Sequence, residues 1–139
     1  MVKYVLLIIV ATLVCCNTFA QLQANNWTFG DSVGLDFSTT PPTFFKAPIN
    51  ALEACSAISN YAGELLFYTN GEKVWNKNLE VMPNGDSLNI GLVQYGNPSS
   101  ITQGVTIIPK PGSMNLFYII YMSGFNSNFP DDTVGLEYS

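Results

Sequence analysis

The sequence predicts an all-β protein of antiparallel meanders, and three observations carry that expectation. Apolar and aromatic residues come in short runs of strand length. Gly, Pro, Asn and Asp break those runs at short intervals. The pattern around residues 55–69 also returns fifty residues later, at 105–119. Both signals are densest in residues 55–75, CSAISNYAGELLFYTNGEKVW, where three apolar runs and two turn signals share about twenty residues.

The chain of 139 residues is one domain's worth. Residues 1–20 fit an export leader, with Lys3, an apolar run over 5–14 and small residues in Thr18-Phe19-Ala20 where a signal peptidase inspects. The run is about half the length that a bilayer-crossing helix needs, so the expectation is a cleaved leader and no membrane segment after cleavage. Cys15 and Cys16 raise lipid attachment, but Val14 is bulkier than the residue such a site prefers. Cleavage removes Lys3 and leaves four lysines against ten carboxylates, a net charge of −6. With no Arg and no His, the chain lacks both the bidentate phosphate fork and the usual neutral-pH proton shuttle. Its scattered lysines argue against nucleic acid as a partner. Cys55 would be the one cysteine left, so no internal disulfide can form, and a bacterial export route fits.

Residues 21–26 form a polar lead-in. Residues 27–37 alternate around Gly30, Asp31 and Gly34, predicting two short strands or one bent one. Pro41, Pro42 and Pro48 predict a loop over 38–48, since proline breaks helices and central strands. Strands follow at 55–59, 64–69 and 73–75. Met82-Pro83-Asn84-Gly85 reads as a turn in which Pro fixes one φ and Gly supplies a positive one. Only 88–93 looks strand-like between that turn and Gln103. Strands are expected again at 105–109 and 115–122, around a turn at 110–113, and finally at 134–138.

At the fifty-residue offset, Cys55-Ser56-Ala57-Ile58 falls on Val105-Thr106-Ile107-Ile108, and Leu66-Phe67-Tyr68 on Leu116-Phe117-Tyr118. A period near fifty with three or four strands per unit is what a β-propeller blade requires. A β-sandwich with recurring hairpins is the alternative. The chain has room for about two blades and a part, and it stops at Ser139 within a strand-like run. The expectation is therefore an incomplete propeller-like domain over 21–139, a fragment whose first partners are downstream domains of the same polypeptide.

The stretches Trp27–Gly30, Gly34–Phe37, Leu65–Gly71, Val74-Trp75-Asn76, Met82–Gly85 and Ser99–Pro111 together resemble the N-terminal region of a large family of secreted Bacteroidota proteins. The resemblance implies a β-propeller-like repeat at the cell surface or outside the cell. It also implies further modules and a C-terminal type IX sorting or gliding-motility-associated domain. It supplies a location and a fold more than an activity. Thr28 departs from the family pattern, where an aromatic is common; a solvent-facing position there would tolerate it.

No catalytic constellation and no cofactor site is expected. Without His, no Ser-His-Asp or Cys-His arrangement can form. Cys55, beside Ala54 and Ala57, reads as a buried inert thiol. Glu53, Glu64, Glu72 and Glu80 lie at strand ends or turns, where solvated charges normally sit, rather than as a glycosidase pair. Asp131 and Asp132 beside Asn126 and Asn128 form the one local oxygen cluster, a minor calcium candidate against a plain loop. Most aromatics are expected in the core. Phe125 and Phe129, set among Ser, Asn and Pro, are the candidates for an exposed ring facing a carbohydrate or a surface protein.

Asp31-Ser32-Val33, Asp86-Ser87-Leu88 and Asp132-Thr133-Val134 fit the Asp-Ser/Thr-apolar triplet that Bacteroidota glycosylate on exported proteins. Ser32, Ser87 and Thr133 are the candidate O-glycosylation sites, against ordinary turn chemistry; an unmodified intact mass of the native exported protein would exclude them. Asn26-Trp27-Thr28 fits an N-glycosylation triplet, which a bacterial export context discounts. The functional expectation is a non-enzymatic exported β-repeat domain with an adhesion or scaffold role in a larger surface protein. The alternative is the scaffold propeller of a secreted enzyme, such as a carbohydrate-active one, whose catalytic module lies beyond Ser139.

Overall fold

The computed structural model describes residues 22–86, 88, 103–122 and the backbone of 136–138. Among the described residues, after a 3-10 turn at Leu22–Ala24, all regular elements are strands: β1 (Asn26–Asp36), β2 (Thr43–Ala51), β3 (Ser56–Ser59), β4 (Leu65–Thr69), β5 (Val74–Asn76), β6 (Val105–Pro109), β7 (Phe117–Met122) and β8 (Leu136–Tyr138). They form three antiparallel sheets, β1-β2, β3-β4-β5 and β6-β7-β8. The fold is all-β and antiparallel, in the chain order expected.

The sheets are layered, and the middle one is covered on both faces. Successive side chains of a strand point to opposite faces. Ala57, Leu65, Tyr68 and Trp75 accordingly meet Phe45, Ala47, Ile49 and Ala51 of β2. Ile58, Leu66, Phe67 and Val74 meet Val105, Ile107, Phe117, Ile119 and Tyr121 of the third sheet. Leu66 and Phe67 are adjacent yet pack on the same side. The register slip between Ile58 and Ser59 is what permits this, since a bulge locally cancels the alternation.

β1 is one bent element. An extended strand rises about 3.3 Å per residue, so residues 25 and 37 would lie about 40 Å apart if it were straight. Instead the Phe37 N–H donates to the Asn25 carbonyl at 2.8 Å. The reversal falls where Gly30 (φ 60°) and Ser32 (φ 64°) adopt left-handed backbone, beside the register break between Asp31 and Val33.

Residues 43–48 are strand, not the loop that their prolines suggest. Among the described strands β2 has a single hydrogen-bonded neighbour, and Asp31 pairs with Asn50 while Val33 pairs with Lys46. Pro48 therefore falls inside the bulge, where no ladder N–H is needed. The turn at 82–85 forms as expected, but Asn84 (φ 59°) rather than Gly85 supplies the positive φ. Gly85 is required for a different reason: a Cβ there would lie 3.0 Å from the backbone oxygens of both Met82 and Val74. Asn115 and Leu116 belong to the turn before β7, and of 88–93 only Leu88 lies within the described residues.

Two loops at one end of the middle sheet are built alike. In 60–64, Asn60 Oδ1 accepts the N–H groups of Ala62 and Glu64, and Asn60 Nδ2 donates to Glu64 Oε2 at 2.8 Å. In 76–80, Asn76 Oδ1 accepts from Asn78 and Glu80, and its Nδ2 donates to Glu80 Oε2 at 3.3 Å. The second loop returns the chain to a bridge between Trp75 and Val81, a short fourth edge on the sheet. The fourth position of each loop has positive φ, occupied by Gly63 (86°) in one and Leu79 (68°) in the other.

Candidate functional site

An open groove of about 710 Å³ lies between the middle and third sheets. β4 and β5 supply Leu66, Phe67 and Val74, and β7 supplies Phe117 and Ile119. The Phe67 and Phe117 rings meet edge-on at 5.3 Å, the geometry that aromatic quadrupoles favour. One bank is the 82–85 turn, clamped to β5 by Met82 N–H to Val74 O (2.9 Å) and Val74 N–H to Gly85 O (2.6 Å). The other bank is the 110–116 connection, which leaves Met114 at 72% and Leu116 at 54% exposure. The result is an apolar trough with flexible thioethers on both rims, Met82 and Met114, suited to apolar matter of variable shape.

The second exposed apolar surface lies on the first sheet. Trp27 is 54% and Phe44 65% exposed, with Phe29 and Phe37 also outward. Trp27 and Phe37 stand 4.9 Å apart at 48°. The indole N–H of Trp27 is occupied by the Ala24 carbonyl at 2.9 Å, so what this residue offers outward is ring surface. The expectation that these aromatics would be core is thus wrong for Trp27, Phe29 and Phe44 and right for Trp75. Thr28 reverses as well: it is buried rather than solvent-facing, and its Oγ1 has no hydrogen-bond partner among the described residues. The alternation of Trp27-Thr28-Phe29 is visible in the sequence, but alternation alone does not say which of its two faces is buried.

A smaller recess of about 550 Å³ collects Asp36, Glu64 and Lys77 over Phe45, Leu65 and Leu79. Its carboxylates are engaged in turns: Asp36 Oδ1 accepts the Ser38 N–H at 2.8 Å, and Glu64 Oε2 holds Asn60. Among the described residues no group of three or more Asp, Glu, Cys or His could hold a metal ion, and no described helix is long and apolar enough to cross a membrane.

The remaining sequence candidates separate cleanly. Cys55 is half-buried just before β3, and burial pushes its thiol pKa up, away from the reactive thiolate. Ser32 sits at the reversal of β1 with its hydroxyl 3.0 Å from Asp31 Oδ1. Asn26 is buried and its Nδ2 donates to Ser59 Oγ (3.0 Å) and the Gly63 carbonyl (2.9 Å), which leaves no room for a glycan. Ser87, Thr133, Phe125, Phe129 and the Asn126–Asp132 oxygen cluster lie outside the described residues. No family model, curated protein or solved structure matches the chain.

Proposed function

We propose that this chain is an exported, non-catalytic β-sheet domain of a larger surface protein, and that it acts by contact, as an adhesive or scaffolding surface. The observation that carries the reading is the exposed aromatic face of the first sheet, Trp27, Phe29, Phe37 and Phe44. Exposed ring surface of this kind, with Trp27 and Phe37 in contact at 4.9 Å, marks an interaction site. Flat rings whose polar edges are already satisfied favour either the apolar face of a sugar or another sheet.

The propeller reading belongs to the same proposal and draws on the layering. Ile58 of the middle sheet and Ile108 of the third occupy the same position in their hairpins, fifty residues apart, and both face away from the first sheet. Ile58 is covered by the third sheet, whereas Ile108 is 42% exposed and its cross-strand neighbour Tyr118 is 37% exposed. A repeated sheet whose outer face matches a buried one calls for a further sheet of the same kind. The leader pattern of residues 1–20 supports export, and Ser32 lies half-buried at the reversal of β1, beside the exposed Asp31.

The test compares the wild-type chain with Trp27→Ala/Phe44→Ala, displayed on a cell or bead, for binding to a glycan array and to cell-surface protein. Contact through this face predicts loss of binding with an unchanged melting temperature. Equal binding by the double variant, or no binding by the wild type, would overturn the reading.

A further inference from the structure

The chain holds two Asn-Gly pairs, Asn70-Gly71 and Asn84-Gly85, and the fold treats them in opposite ways. Such pairs carry a reaction of their own. The backbone nitrogen of the glycine attacks the side-chain carbonyl carbon of the asparagine, forming a C–N bond and closing a succinimide ring. The side-chain amide C–N bond breaks, and ammonia leaves with the displaced proton. Water then opens the ring at either carbonyl and leaves aspartate or isoaspartate. Glycine favours the attack because no Cβ shields its nitrogen.

Asn70 cannot reach that geometry without dismantling part of the fold. Its Oδ1 accepts the N–H groups of Glu72 (3.0 Å) and Lys73 (2.9 Å), and its Nδ2 donates to the Asn50 carbonyl of β2 at 3.0 Å. It is also buried, at 6% exposure. The amide is a fastener between the first and middle sheets, and three hydrogen bonds hold the reacting carbon in place.

Asn84 is the opposite case. It is exposed at the third position of the 82–85 turn, and its side chain makes no hydrogen bond to any described residue. The attacking nitrogen is restrained by the Gly85 N–H bond to the Met82 carbonyl at 2.8 Å, within a turn that two further backbone bonds hold to Val74. Gly71 is restrained similarly, its N–H donating to Thr69 Oγ1 at 3.0 Å, so this factor does not distinguish the two sites. The side chain does.

We propose that Asn84 is a site of spontaneous deamidation in the folded protein and that Asn70 is shielded from it. The product matters because of where Asn84 lies. Aspartate places a negative charge on the rim of the 710 Å³ apolar groove. Isoaspartate adds a methylene to the backbone between Met82 and Gly85, whose N–H and carbonyl clamp Val74 from either end of the turn. Either product alters the groove with age and without an enzyme. The inference rests on turn geometry and stands apart from the adhesion reading.

The experiment incubates the folded full chain in mildly alkaline buffer. Conversion at each asparagine is followed by peptide mapping, with isoaspartate detected by its specific methyltransferase. Three side-chain hydrogen bonds at Asn70 predict conversion about a hundredfold slower there than at Asn84. In denaturant the two sites should convert at similar rates. An Asn84→Gly chain, which keeps the positive φ, should lose the reactive site and its product. Equal rates at Asn70 and Asn84 in the folded chain would overturn the proposal. So would an intact Asn84 after an incubation that converts it in the denatured chain.

Discussion

The middle and third sheets are built from the same stretch of sequence pattern fifty residues apart, yet they use it differently. In the middle sheet Ile58 pairs with Phe67, and in the third Ile108 pairs with Tyr118. The first strands correspond at an offset of fifty, whereas their partners correspond at fifty-one. A one-residue change of register turns a side chain to the other face. Tyr68 is therefore fully buried and stacked on Trp75 at 5.4 Å, while Tyr118, which the sequence alignment places opposite it, is 37% exposed. The cause is local: the middle sheet carries a bulge and closes over the tight 60–64 loop, whereas β6 and β7 pair without a slip across a longer connection, from Lys110 to Leu116. Similar strands can thus serve opposite faces, and the turn decides which.

The sharpest way to break this comparison is to truncate both tyrosines. Tyr68→Ala should destabilise the chain by about 3–5 kcal/mol, the range for emptying a large aromatic site in a core. Tyr118→Ala should cost under about 1 kcal/mol, as surface substitutions do. Urea unfolding followed by tryptophan fluorescence measures both, and similar losses would show that the register difference is energetically irrelevant.

Alkaline pH offers a second contrast. Burial pushes the Tyr68 pKa from its ordinary 10 up to about 12, because the phenolate would lose its water. Below pH 10 both folded and unfolded states keep the proton, so the group adds no pH dependence. Between about 10 and 12 the unfolded state releases it first, and stability falls by about 2–3 kcal/mol. Tyr68→Phe should flatten that slope in denaturation midpoints taken across the window. Because the Tyr68 hydroxyl has no hydrogen-bond partner among the described residues, the same variant should lose little stability at neutral pH.

The smallest effect sharpens the comparison between the twin loops. Gly63→Ala should cost about 1–2 kcal/mol from left-handed backbone alone, and more because its Cβ would lie 2.6 Å from Asn25 Nδ2. Leu79→Gly relieves similar strain but removes a side chain that packs against the Tyr68 and Trp75 cluster. Its net change should stay within about 1 kcal/mol. Thermal melts of the two variants test this ordering, and a reversed order would deny the loops their equivalence.

Much of the fold was legible because strand patterning and turn chemistry are local. The runs at 56–59, 65–69, 74–76 and 105–109, and the turns at 60–63, 82–85 and 110–113, could be placed from residue types alone. The strand through Pro48 could not, since proline is excluded from a ladder only where its nitrogen must donate, and the bulge that removes that need is formed with β1. The site was less legible still. The groove joins residues from 66–88 and 114–119, which come together through sheet stacking. The exposed ring face was missed because large aromatics usually belong to cores, and Trp27 and Phe29 alternate around a buried Thr28.

By itself, then, the sequence determined the class of structure, the succession of strands and the fifty-residue recurrence, all of which depend on neighbours within a few positions or on comparison along the chain. Tertiary structure alone decided which face of each strand is buried. That choice depends on register, on bulges and on which sheet lies alongside, so Tyr68 became core and Tyr118 surface although the same three-residue pattern surrounds them.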